Sequence, residues 1–169
     1  ALLLEKAIDG KAAVEIVKEL RAMAFEDQAL IARRAFDAAM KSFQADCPII
    51  IKNVGVRDNS NKLAYAYAPI EDVEVQIRPI CQRHGFSHKF PKMILGEGTV
   101  TAYCEVKHEA GHSELTEVTY RVAAGTRMMS TTQVDAATET FAKRRALCNA
   151  YGLILAGEDL DGRTMERTK

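Results

Sequence analysis

The sequence predicts an α+β protein: an N-terminal helix, a β-hairpin, a helix, a three-stranded antiparallel meander, and a long C-terminal helix packed on the sheet. Three observations predict it. Apolar residues recur at helical spacing over Leu2 to Ala45, Ile70 to His84 and Met128 to Gly152. Val100, Ala102, Cys104 and Val106 alternate with Thr99, Thr101, Tyr103, Glu105 and Lys107, the period of a strand with one buried face. Polar or glycine-bearing turns at Arg57 to Asn61, Gly96 to Gly98 and Glu109 to His112 separate the extended segments.

In the first helical stretch, Ile8, Ala12, Ile16 and Leu20 step along one face, and Leu30, Ala35, Phe36, Met40 and Phe43 continue it. Gly10 is expected to set off a short first turn. Mixed charges fill the rest, so this segment is expected to pack on the sheet or on a neighbouring subunit. Cys47-Pro48 ends it, because proline disfavours helical geometry in the residue before it. Ile49 to Val56 reads as a strand and Lys62 to Ala68 as its return, with Leu63, Tyr65 and Tyr67 on one face and Lys52, Arg57 and Lys62 at and near the tip.

Pro69 introduces the next helix, with Glu71, Asp72 and Glu74 in its first turn and Ile70, Val73, Ile77 and Ile80 facing the sheet. His84-Gly85 closes it. Phe86 to Ile94, Thr99 to His108 and Leu115 to Ala124 are the expected meander strands; Val118, Tyr120 and Val122 repeat the alternation. In the last helix Ser130, Thr131 and Thr132 offer cap hydroxyls, Asp135 and Glu139 lie toward the positive dipole end, Lys143, Arg144 and Arg145 toward the negative end, and Gly152 supplies a stop. Val134, Ala137, Phe141, Leu147 and Tyr151 form its expected buried stripe.

A chain of 169 residues with 47% hydrophobic content suits one domain, or one with a helical extension. The expected division is a helical segment at 1–46, an α+β core at 47–157 and a polar tail at 158–169. With Ala1 in first place, a trimmed start is expected, and the tail is expected to be cut likewise. The formal net charge is zero, but residues 48–95 carry seven Lys or Arg against four Asp or Glu, so a basic face is compatible with a balanced total. Cys47, Cys81, Cys104 and Cys148 stand far apart with no CxxC pair, which suits buried thiols in a reducing cytoplasm. Leu2 to Leu4 is too short for a signal peptide, and no run approaches the ~20 apolar residues of a membrane span. A soluble intracellular protein is expected.

Gln133, Thr140-Phe141-Ala142-Lys143-Arg144, Ala146-Leu147 and Gly152 resemble, in order and spacing, the signature helix of the ERF family, the phage essential recombination function proteins. Ala136 stands where a Gly is common there, and Phe141 and Arg145 where Tyr residues are common. A second block, Lys62 to Pro69 followed by the helix ending Arg83-His84-Gly85-Phe86, resembles the family's hairpin and first sheet helix. The resemblance covers roughly residues 25–160 and extends, more distantly, to the eukaryotic single-strand annealing mediators. It implies annealing of single-stranded DNA in recombination without ATP, assembly into rings or helical filaments, and DNA contacts from Lys143 and Arg144. It also implies a phage or prophage origin, a bacterial host cytoplasm, and a phage exonuclease or host single-strand binding protein as partner.

The residues support nucleic-acid binding independently. Phosphates need positive charge, and unpaired bases stack on rings or guanidinium planes at roughly 1–3 kcal/mol each. If the hairpin folds over the start of the sheet, Lys52, Arg57, Lys62, Tyr65 and Tyr67 face Arg127, Lys143, Arg144 and Arg145 across a groove. Other chemistry has less behind it. His108-Glu109-Ala110-Gly111-His112 matches HExxH, but zinc hydrolases need that pentad on a helix, and here it lies between two strands around a Gly. Cys81, His84 and His88 have a loosely metal-like spacing interrupted by Gly85. No phosphate-binding GxxxxGK[ST] loop occurs, and Ser130 has no neighbouring His to activate it. No catalytic residue, metal or cofactor is therefore expected. Besides the zinc hydrolase, the rival reading is a double-stranded RNA-binding module, which shares the helix, three-strand, helix order but leaves the 49–68 hairpin unexplained.

Overall fold

A computed structural model describes residues 2–9, 14–57, 60–122 and 131–156, without the side chains of residues 6–9, 64, 65, 131–133 and 156. The expected α+β order is realised. Strand β6 is the centre of a four-stranded sheet and spans Thr99–His108, as its alternation predicts. Val100, Ala102, Cys104 and Val106 are buried on one face, while the intervening residues lie on the other. Strand β7 (Ser113–Arg121) pairs antiparallel along one side of it.

The other side carries a correction. The segment expected as one strand from Phe86 to Ile94 is two, β4 (Phe86–Lys89) and β5 (Met93–Gly96), both antiparallel to the same side of β6. Pro91 lies in the gap, and a proline has no N–H to give to a ladder. Tyr103 N instead donates across the break to the Lys92 carbonyl at 3.2 Å.

Helix α4 (Thr131–Tyr151) crosses the buried face of this sheet. Its buried residues are Val134, Ala142, Ala146, Leu147, Cys148 and Tyr151, whereas Ala137 and Phe141, expected in the buried stripe, are exposed. Gly152 ends the helix at φ 64°, with Leu153 N donating to the Cys148 carbonyl at 2.9 Å in a left-handed glycine stop. Helix α3 (Ile70–Arg83) buries Val73, Ile77 and Ile80 as its spacing predicts, and Cys81 besides, while Ile70 is half-buried.

The described N-terminal residues form two helices, α1 (Leu2–Asp9) and α2 (Val14–Asp46); Gly10, expected to set off the first turn, lies outside the described residues. Only the last third of α2 reaches the core. Phe36 meets Phe86 edge-on at 5.3 Å between ring centres, and Phe43 lies 4.8 Å from the Tyr151 ring. Ile16 and Leu30, expected on the packed face, are exposed. Full burial of an apolar side chain contributes roughly 1.5–3 kcal/mol, so residues such as Phe43, Ile77 and Leu147 carry stability that the outer turns of α2 do not.

The expected strand at Ile49 to Val56 is also divided. Strand β1 (Ile50–Ile51) pairs in parallel with β8 (Leu155–Ala156), and β2 (Val54–Arg57) forms a separate hairpin with β3 (Leu63–Tyr67). Among the described residues the hairpin strands pair only with each other. No helix among the described residues is long and apolar enough to cross a membrane.

Candidate nucleic-acid interface

The hairpin register sets where its side chains can act. Val54 pairs with Tyr67 and Val56 with Tyr65, so Tyr67 stands at the base and Tyr65 nearer the tip. Lys52 precedes β2 and therefore lies at the base, away from the tip where it was expected. Arg57 and Lys62 do flank the tip, and Arg57 Nη1 donates to the Asn61 carbonyl at 2.9 Å. The base is tied to α3 by Asn53 Nδ2, which donates to Asp72 Oδ2 at 2.9 Å.

Arg144 of helix α4 reaches that base. Arg144 Nη1 donates to the Ala68 carbonyl at 3.0 Å. Its guanidinium carbon sits 4.9 Å from the centre of the Tyr67 ring and 5.3 Å from that of Phe141. Both separations fall within cation–π range. Phe141 packs edge-on against Tyr120 of β7 at 4.8 Å, and Arg145 Nε lies 3.4 Å from the Tyr120 hydroxyl oxygen. Residues three and four apart are neighbours on a helix, so Phe141 stands beside both Arg144 and Arg145.

The structure thus joins Tyr67, Arg144 and Arg145 through two rings that sequence reasoning left out of the site. Helical spacing predicts Phe141 in the buried stripe, and alternation predicts Tyr120 on a strand. The available signal was the spacing of Phe141 from the two arginines. Lys143 points elsewhere: consecutive residues turn by roughly 100°, which sets Lys143 and Arg145 about 160° apart around α4. Lys143 is half-buried. Arg127 and the Tyr65 side chain lie outside the described residues, as do Ser130 and the hydroxyls of Thr131 and Thr132.

The HExxH pentad is a hairpin turn. His108 N donates to the His112 carbonyl and Gly111 N to the His108 carbonyl, both at 2.9 Å, with Gly111 at φ 102°. His108 is buried against Phe86, and His112 packs on Phe36. The helical face a zinc hydrolase needs is not formed by these residues. The members of the looser set have other partners: His84 Nε2 bonds Asp46 at 2.9 Å, while His88 bridges Glu74 at 2.8 Å and the Tyr151 hydroxyl at 3.2 Å. Among the described residues no cluster of His, Cys, Asp and Glu is arranged to hold a metal ion.

Fold and surface define a class: an antiparallel sheet crossed by a basic, ring-bearing helix, with a hairpin arm held at that helix's flank. The chain belongs to the ERF superfamily, whose family model matches residues 36–168, beginning where α2 enters the core. That membership points to a function in recombination. Searches of curated proteins and of solved structures return no match.

Proposed function

We propose that this protein binds single-stranded DNA and anneals complementary strands without a nucleotide cofactor, in homologous recombination. The observation that supports this reading best is the junction at Arg144. It brings the tyrosine-bearing hairpin and the cationic helix to one surface, where guanidinium groups can meet phosphates and rings can meet unpaired bases. Strands held this way repel each other less, which favours pairing with a second strand.

The proposed DNA-binding set is Arg144, Arg145, Tyr67, Lys143, Lys52, Arg57 and Lys62, together with Arg127 and Tyr65. Catalysis by a covalent site plays no part in it. The proposed organisation is a helical arm at 1–46, an annealing core at 47–157 and a tail at 158–169, working as a ring or filament in a bacterial cytoplasm. The arm supports assembly through Phe25, 74% exposed, and Met23, 61% exposed, which are large apolar side chains that a second copy could cover.

Annealing of complementary oligonucleotides, followed with and without ATP, tests the proposal. Pairing accelerated in the absence of nucleotide and steeply weakened by salt is the expected result. A preference for duplex RNA over oligo-dT, or an absolute need for ATP, would overturn it.

A further inference from the structure

Tyr67, Arg144, Phe141, Tyr120 and Arg145 form one continuous run of rings and guanidinium groups. It starts at the hairpin base, crosses α4 to Tyr120 on β7 and returns to α4 at Arg145. The contacts are 4.9 Å from Arg144 to the Tyr67 ring, 5.3 Å from Arg144 to Phe141, 4.8 Å from Phe141 to Tyr120, and 3.4 Å from the Tyr120 hydroxyl to Arg145. Three separate elements supply it, so the order of the row exists only in the folded chain.

Tyr120 packs half-buried against the hydrophobic core, but Phe141 stands outside that cluster. The buried side of α4 is served by Ala142, Ala146, Leu147 and Tyr151, all fully enclosed, whereas Phe141 is 37% exposed. Core packing alone does not account for an aromatic ring left partly in water on a helix that already has a buried face. Its neighbour Arg144 is planar and cationic, and guanidinium planes stack on bases as rings do. The electrostatics suit a nucleic acid, since two arginines flank the rings and could meet the phosphates on either side of a stacked base.

We propose that Phe141 and Tyr120, with Tyr67 and interleaved by Arg144 and Arg145, form a stacking row for unpaired nucleobases. The proposal rests on the single-strand binding reading above and deepens it, since backbone capture alone needs no rings. Base stacking does not depend on base identity, because every base has a π-face. The row therefore selects unpaired over duplex DNA and is indifferent to sequence.

The chain contains no tryptophan, so Phe141→Trp introduces a single indole reporter at the centre of the row. Stacked bases quench indole emission. Titration with oligo-dT should quench it, whereas an abasic phosphodiester strand of equal length should bind with little quenching. Phe141→Leu keeps apolar bulk without a ring and should weaken oligo-dT binding by roughly five- to 150-fold, the range for losing one stacked base. Its affinity for the abasic strand should stay at the wild-type value, and Phe141→Tyr should restore oligo-dT binding. Normal oligo-dT affinity in Phe141→Leu, with an unquenched Phe141→Trp complex, overturns the stacking row and leaves strand binding standing. Failure of the wild-type protein to bind either strand removes the strand-binding reading, and the row with it.

Discussion

Arg144 on α4 donates to the carbonyl of Ala68, 76 residues earlier, where the hairpin hands over to α3, and its guanidinium simultaneously covers the Tyr67 ring. This side chain therefore fastens the hairpin base to α4. Arg144→Lys keeps the charge but not the planar group that makes both contacts. A loss of about 1–2 kcal/mol is expected from one hydrogen bond and one cation–π contact. Urea denaturation should show this loss, and amide exchange in Val54 to Tyr67 should accelerate. Lys143→Ala should instead leave stability nearly unchanged and lower the salt dependence of strand binding by about one phosphate. Equal stability of Arg144→Lys and wild type would remove the fastening role.

Phe43 and Phe25 lie on the same helix and separate core from arm. Phe43 is fully buried against Phe86 and Tyr151, so Phe43→Ala should cost about 3–5 kcal/mol. Phe25→Ser should change monomer stability by no more than ~0.5 kcal/mol. Under the proposed assembly it should nevertheless shift the particles seen by light scattering to smaller size. An unchanged size distribution would argue against the arm as the subunit contact.

Burial pushes the Cys104 thiol up to about 12 from its ordinary 9.0, and Tyr151, buried and hydrogen-bonded to Cys81, is raised as well. The folded chain thus holds these protons to higher pH than the unfolded chain does. Their contribution to stability is complete below about pH 9 and is lost as pH climbs toward 12. In reducing buffer, the urea midpoint should fall across that window, and Cys104→Ala should flatten the decline. A midpoint indifferent to alkali would contradict the burial of these groups.

Asp46 at the end of α2 shows the opposite sign. The hydrogen bond from His84, with support from the charges of His84 and Arg83, lowers its carboxyl below the ordinary 3.8. The stability it supplies is present above pH 3.8 and is lost as acid carries the solution through the lowered value. Asp46→Asn should leave a shallower acid limb in a plot of urea midpoint against pH. An acid limb of wild-type steepness in this variant would mean that the α2–α3 fastening contributes little.

Strand β6, helix α3 and the stop at Gly152 could be read from the sequence because alternation, helical spacing and a left-handed glycine are set by near neighbours in the chain. The turn inside the HExxH pentad was readable for the same reason, since Gly111 interrupts it between two alternating strands. The division of Phe86 to Gly96 was foreshadowed only by Pro91, and placing both halves on one side of β6 is a matter of register. Pairing of Ile50 with Leu155 joins opposite ends of the fold and leaves no local trace.

The candidate site divides the same way. Sequence alone determined that α4 would carry Lys143, Arg144 and Arg145 and that the hairpin would carry Tyr67. Tertiary structure decided that Arg144 reaches Tyr67 and that Phe141 and Tyr120 complete the row. Helical spacing fixes which residues share a face, but whether that face is covered depends on surfaces brought in from distant parts of the chain. The same reason explains the arm: the apolar steps from Ile16 to Leu30 repeat those around Phe36 and Phe43, yet Phe86 and Tyr151 cover the latter while Ile16 and Leu30 stay exposed.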